Sequence, residues 1–373
     1  MNFCHFVVGC FVLAGSLEAP CQNTFFIHLD SVQAGLRGVA YSVKEIADGY
    51  LVFGTEQFNS AFPPHLYVTK LDFFGIPEFQ RMYLTGDDRD HLIGPIDPVC
   101  ISGVDSFAVV VNLRGPGMAY HLRWFQFDNN ADTVFTHDIL ADQLPDTTSG
   151  LIHQMRILYD DGIITVGGYY DGEVERALLL RTNPMGDTLW TKQYGEPGQQ
   201  NDAYGVANYH DNGFLITGIR SMSYVQDDSF LIRTDSLGNQ LWRVEFGDDG
   251  GGLCSVRVTP DSNIVTWSGY REDAWPNNWQ QMMLTKWDNS GAVVWQKRSH
   301  YSTWSEASDF EVLPDGGFIC VSRKWPSAEL IRYDANGDSL WSRSYYLFIN
   351  IHFPYDVEPT SDGGFIMCGW TIQ

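Results

Sequence analysis

The side chains in this sequence that could do chemistry are carboxylates, imidazoles and indoles, and their spacing sets how far each reading goes. Asp202 and Glu306 precede two similar apolar segments by the same interval. In a repeating structure both would face a central channel, where two carboxylates can serve a glycan hydrolase as general acid and base. His65, His91, His121, His137, His153, His210, His300 and His352 are dispersed, and no G-x-S-x-G, H-E-x-x-H or phosphate-loop pattern accompanies them. Asp227, Asp228, Asp248 and Asp249 could approach Ca²⁺, but they follow neither EF-hand nor nonapeptide spacing and read as solvated loop carboxylates. No metal and no cofactor is expected.

The aromatic residues offer binding rather than catalysis. Trp275 and Trp279 share a stretch with Arg271, Asp273, Asn277 and Asn278, a combination suited to stacking on a sugar or a peptide. Tyr169, Tyr170, Tyr224 and Trp325 fall in other variable stretches and extend the same expectation. The competing reading is that these rings pin their own loops.

Bulk properties narrow the partners. With 46 acidic against 23 basic residues, a formal net charge of −23, the surface repels a phosphate backbone, which excludes nucleic acid. A hydrophobic share of 44% supports a large core. Phe6 to Leu17 is almost wholly apolar, too short to span a bilayer and of signal-peptide size. Residues 1–22 are therefore expected to be an export leader, with a buried N-terminal strand as the alternative. The rest is expected to be secreted or held at the cell surface, with no membrane span, as a monomer. Cys100, Cys254, Cys320 and Cys368 lack C-x-x-C spacing and read as buried free thiols.

What must position these residues is a repeat. Asp211-Asn-Gly-Phe-Leu-Ile-Thr-Gly218 is followed by Phe230-Leu-Ile-Arg-Thr-Asp235 and, past Gly238, by Trp242; Asp315-Gly-Gly-Phe-Ile319 is followed by Leu330-Ile-Arg-Tyr-Asp334, Gly337 and Trp341. Further copies start near Asp48, Asp105, Asp161, Asp261 and Asp362. The D-x-x-G element fits a type I turn, with Asp accepting backbone amides and Gly taking a positive φ. The D-G-G element supplies a second hairpin. The ring four residues past the turn glycine (Trp190, Trp242, Trp295, Trp341, with Phe79 and Phe135 in other copies) should be a plate buried between sheets, contributing roughly 3 to 5 kcal/mol each.

Four short strands in each of seven copies predict an all-β fold, a seven-bladed β-propeller of four-stranded antiparallel blades over residues 23–373. Asn23 to Asp30 would be an outer strand and Gly38 to Val43 an innermost one, so the seventh blade is closed by both termini or is incomplete. A stacked solenoid would use shorter repeats.

The phrases D-G-G-F-I and L-I-R-x-D-x-x-G-x-x-x-W, with the Tyr194-Gly195 and Phe246-Gly247 that follow, resemble the repeats of secreted Bacteroidota proteins. That resemblance covers Asp48 to Gln373 and implies export by the type IX route, usually through an added C-terminal sorting domain. The repeats are also distantly similar to the tryptophan-docking repeats of quinoprotein propellers. Here the Asp-to-Gly gap is one residue shorter in most copies and no Cys-Cys pair exists, so no quinone-site residues carry over.

If strands run from innermost to outermost, both tight turns lie on one face and the variable loops on the other. The expected function is thus a non-catalytic secreted propeller presenting its loop face to a polysaccharide, peptide or surface partner. A glycan-acting hydrolase using Asp202 or Glu306, and a structural segment of a larger adhesin, remain as alternatives.

Overall fold

The computed structural model describes residues 5–11, 24–30, 37–57, 65–83, 91–93, 99–101, 106–114, 120–128, 130–139, 150–170, 173–196, 198–223, 226–246, 254–271, 280–299, 305–325, 327–345 and 351–372. Every regular element among them is a β-strand. Two compact units form, one from residues 1–88 and 308–373 and the other from residues 89–307.

In chain order the strands begin with β1 (His5–Phe11) and β2 (Thr24–Asp30). The first full copy is β3 (Arg37–Ile46), β4 (Gly49–Gln57), β5 (His65–Leu71) and β6 (Pro77–Tyr83). Next come β7 (His91–Ile93), β8 (Val99–Ile101), β9 (Ser106–Arg114), β10 (Tyr120–Asp128) and β11 (Thr133–Ile139). The third copy is β12 (Gly150–Ile157), β13 (Ile163–Tyr170), β14 (Glu175–Thr182) and β15 (Thr188–Tyr194). The fourth is β16 (Gln200–Asn208), β17 (Phe214–Ser223), β18 (Gln226–Thr234) and β19 (Gln240–Phe246). The fifth is β20 (Ser255–Val258), β21 (Ile264–Arg271), β22 (Gln280–Trp287) and β23 (Val293–Arg298). Then follow β24 (Ser305–Val312), β25 (Phe318–Lys324), β26 (Ser327–Tyr333) and β27 (Ser339–Tyr345), and last β28 (Ile351–Pro359) and β29 (Phe365–Ile372).

Each copy folds as its own antiparallel sheet in sequence order, the blade pattern of an all-β propeller. The expected count of seven four-stranded blades is corrected to six. The second copy instead makes a five-stranded sheet, because its first position is divided between β7 and β8, both paired with β9. The two chain ends share one sheet in the order β2-β1-β29-β28, with β2 outermost. The segment expected to be a leader thus contributes β1, with Phe6 opposite Trp370 and Phe11 opposite Phe365.

The turn chemistry matches its physical basis. Asp235 Oδ1 accepts Leu237 N at 2.9 Å and Asn239 N at 2.8 Å, while Gly238 sits at φ 77°. Asp72, Asn183, Asp288 and Asp334 repeat that arrangement. One anchor shifts by a residue: the turn carboxylate of the third copy is Asp160, which accepts Gly162 N, and Asp161 takes the positive-φ position at 58°.

The tryptophan plates are where expected but half-buried rather than enclosed. Trp190 packs beneath the next blade's turn, where a Cβ on Gly238 would lie 2.9 Å from its ring, and Trp242 donates to Asn289 O at 3.2 Å. A fixed 3 to 5 kcal/mol per ring therefore overstates them. The fully enclosed indoles are Trp124 and Trp267. The cores between blades mix aliphatic and aromatic side chains: Ile164, Val166 and Leu179 meet Val206, Ile216 and Phe230 in one unit, and Ile319, Val321 and Leu330 meet Val357, Phe365 and Met367 in the other.

Candidate functional site

Asp202 gains its significance from the strand that carries it. It lies on β16, the first strand of its blade, which packs against β12, β13 and β14 of the preceding one. A bulge between Ala203 and Gly205 sets how the side chains of β16 alternate. Asp202 Oδ2 meets His153 Nε2 on β12 at 3.0 Å, both side chains being largely buried at 15% and 12% exposure. The His153 ring stacks on Tyr204 with centroids 4.3 Å apart.

A second carboxylate joins from β14. Glu175 Oε2 accepts Gln200 Nε2 at 2.9 Å, and its other oxygen shares a cradle with Asp202 Oδ1 above Gly168. A Cβ on Gly168 would approach Asp202 Oδ1 to 2.7 Å and would collide with Glu175 Oε1, so any side chain here would force the two carboxylate ends to shift. Burial, reinforced by the nearby Asp202 charge, raises the Glu175 carboxyl above the ordinary glutamate range. Asp202 Oδ1 is buried and has no hydrogen-bond partner in the protein. Tyr170 stands directly across the ladder from Glu175 and exposes 38% of its surface. The result is a largely buried polar cluster rich in acceptors, with one acceptor oxygen unpaired and Tyr170 across the ladder from Glu175.

The other residues singled out from sequence divide sharply. Glu306 holds the equivalent place on β24 and is half-buried, but the partners found for Asp202 are His153 and Glu175. Tyr169 is 6% exposed and belongs to the core with Ile163 and Leu178, so its expected contact role is corrected to packing. Trp325 is 51% exposed at the end of β25. Trp275, Trp279 and Tyr224 lie outside the described residues. The variable stretch around Tyr224 is bordered closely by strand: β17 runs to Ser223, β18 starts at Gln226, and Arg220 pairs with Asp228 at 2.6 Å.

Among the described residues no cluster of three His, Cys, Asp or Glu side chains is arranged to hold a metal ion. Cys254, Cys320 and Cys368 are buried free thiols, and burial pushes the Cys254 thiol up to about 12. No helix among the described residues is long and apolar enough to cross a membrane. A groove of about 350 Å³ opens at the turn end of the third and fourth copies, lined by Leu158, Tyr159, Tyr209, Phe214 and Leu237. Concave surface is thus found on the turn side as well, where sequence reasoning expected only tight hairpins.

No family model matches the chain. No curated protein matches it either. Solved structures do. The polysaccharide lyase Uly1 superposes with a TM-score of 0.55 at 9% identity, covering 100% of this chain and 99% of the lyase. A europium-containing methanol dehydrogenase gives 0.52 at 11% identity, covering 93% and 78%. An apocarotenoid oxygenase variant from Synechocystis gives 0.51 at 12% identity, covering 89% and 74%. Proteins with such different titles share the scaffold and not the chemistry, so these likenesses establish that this chain has a propeller fold.

Proposed function

We propose that this chain is an exported propeller that binds a glycan at the loop end of its third and fourth copies, at the cluster formed by Asp202, Glu175, His153 and Gly168. The observation that carries this reading is Asp202 Oδ1, a buried carboxylate oxygen that no protein donor satisfies. Leaving such an acceptor unpaired is costly, and a hydroxyl-bearing ligand supplies the missing donor. Tyr170 beside Glu175 offers the apolar face of a sugar a ring to lie on. The leader, the secreted location and the type IX route of the repeats it resembles accord with an extracellular polysaccharide as ligand. Binding to a panel of neutral polysaccharides tests it, since the two carboxylates of the site repel an acidic polymer. A ligand should be retained by the native protein and lost with Asp202→Asn. Absence of any ligand, or a ligand held equally by the variant, would overturn the proposal.

A catalytic reading of the same site is favoured by the raised Glu175 carboxyl beside the second carboxylate of Asp202. It requires that any polysaccharide retained on the panel is also cleaved. Cleavage should disappear with Glu175→Gln. Intact polymer after prolonged incubation would leave binding as the function.

A further inference from the structure

The sheet made by the two chain ends differs from its counterparts in one respect. In five other sheets a basic residue on the third strand meets the carboxylate of the turn between the first and second strands. Lys70 reaches Asp48 at 2.6 Å, Arg181 reaches Asp160 at 2.6 Å, Lys286 reaches Asp261 at 2.8 Å, and Arg233 and Arg332 pair with Asp211 and Asp315. Four of these bases stand opposite the residue four places past the turn carboxylate: Ile164, Leu215, Val265 or Ile319.

Asp362 occupies a turn of the same make, and its nearest likeness is Asp261. Thr259 donates to Asp261 Oδ1 just as Thr360 donates to Asp362 Oδ1 at 2.6 Å, and Lys286 takes Asp261 Oδ2. At Asp362 the described donors, Thr360 and Gly364 N, both use Oδ1. The third-strand residue opposite Ile366 is Cys10 of β1, which carries no charge. A second mismatch lies three residues on. Gly218 and Gly54 of two second strands lie under Phe230 and Tyr67 of their third strands, whereas Gly369 is opposite Val7. The first-strand carbonyl crowds all three glycines alike, from Asp202, Val39 and Phe353. Opposite Ile366 this sheet thus lacks the base that four others carry, and opposite Gly369 the aromatic residue that two sheets carry.

We propose that this position is a strand-acceptor slot, held by the leader in the unprocessed chain and filled after export by a partner strand with an aromatic residue three places ahead of an Arg or Lys. The inference rests on removal of residues 1–22. Losing β1 uncovers the hydrogen-bonding edges of β29 and β2 on either side of a one-strand gap, the arrangement that strand addition repairs. β2 does not close the gap itself. It runs parallel to β29, because each is antiparallel to β1.

The chain contains a model for the partner in Ser229 to Asp235, the end of β18 and the first residue of its turn, where Phe230 precedes Arg233 by three. The test exports the full chain, confirms its N-terminus by intact mass, and titrates a labelled peptide of sequence Ser-Phe-Leu-Ile-Arg-Thr-Asp. Saturable binding is expected, at least tenfold weaker when Glu replaces Arg in the peptide and recovered for that Glu peptide with Asp362→Arg. No binding, or equal affinity for both peptides, would overturn the proposal, and the peptide comparison stands even if Asp362→Arg does not fold. Exported protein that retains His5–Phe11 would overturn it as well, since the slot would then stay filled.

Discussion

Replacing Glu358 with Gln should make the protein more stable at alkaline pH and remove most of a pH dependence that the native chain shows near neutrality. Glu358 is on β28 and contacts Lys44 of β3; Lys44 lies 4.0 Å from Asp356, which also accepts Ser42 Oγ at 2.6 Å and Val43 N at 2.9 Å. Burial, then the charges of Asp356 and Glu311, raise the Glu358 carboxyl to about 7 against the opposing pull of Lys44. From an ordinary value near 4.3, that rise corresponds to roughly 3 to 4 kcal/mol. A raised carboxyl contributes stability that is fully present below about pH 4.3 and is lost as pH climbs through about 7. Burial pushes the Asp356 carboxyl up as well, but the Lys44 charge and the hydrogen bonds from Ser42 Oγ and Val43 N outweigh it and hold Asp356 below the carboxylate range, so it stays ionised across this window. Urea unfolding at about pH 5 and about pH 8 should show the native protein losing stability with rising pH. Glu358→Gln should match it at the lower pH and exceed it by up to ~3 kcal/mol at the higher. A native chain with no such slope, or a variant destabilised at the higher pH, would show that Lys44 holds Glu358 ionised and would refute the reasoning.

Two further substitutions test the repeat chemistry. Arg233→Met removes a buried guanidinium that pairs with Asp211 and lies 4.1 Å from the Tyr209 ring centroid; it should cost about 2 kcal/mol in chemical unfolding, because Asp211 is exposed enough to be rehydrated. Gly238→Ala meets both a φ of 77° and the Trp190 ring 2.9 Å away, whereas Gly363→Ala meets only a φ of 83°. The first should lower the melting temperature clearly more than the second, whose cost is about 1 kcal/mol.

The blades were legible because turns are local. Asp235 and Gly238 act within four residues, so composition at fixed offsets carries the hairpin, and the repeat of such hairpins carries the fold. The basic residue in L-I-R-x-D was equally visible, but its purpose was not: Arg233 meets Asp211 22 residues away, and only the strand register shows that they touch. The departure in the second copy, where β7 and β8 share one position, arises in a segment whose apolar runs are too short to show their pairing.

Asp202 was found for its position, while its partners were missed. His153 lies 49 residues earlier, close to one repeat length, and aligning the first strands of consecutive copies could have paired them. Glu175 gave no such signal, because its closeness to Asp202 depends on the missing side chain of Gly168. Tyr169 misled because sequence cannot tell which of two adjacent tyrosines a strand turns inward; the alternation of β13 buries it and leaves Tyr170 outside.

Calorimetric titration of the polysaccharide retained by the native protein into Gly168→Ala tests the central claim most directly. The substitution deletes no polar group of the site but pushes a methyl group against Asp202 and Glu175, displacing their carboxylate ends. Binding should weaken at least tenfold while the unfolding midpoint changes little. Unchanged affinity would place the ligand elsewhere and contradict the account.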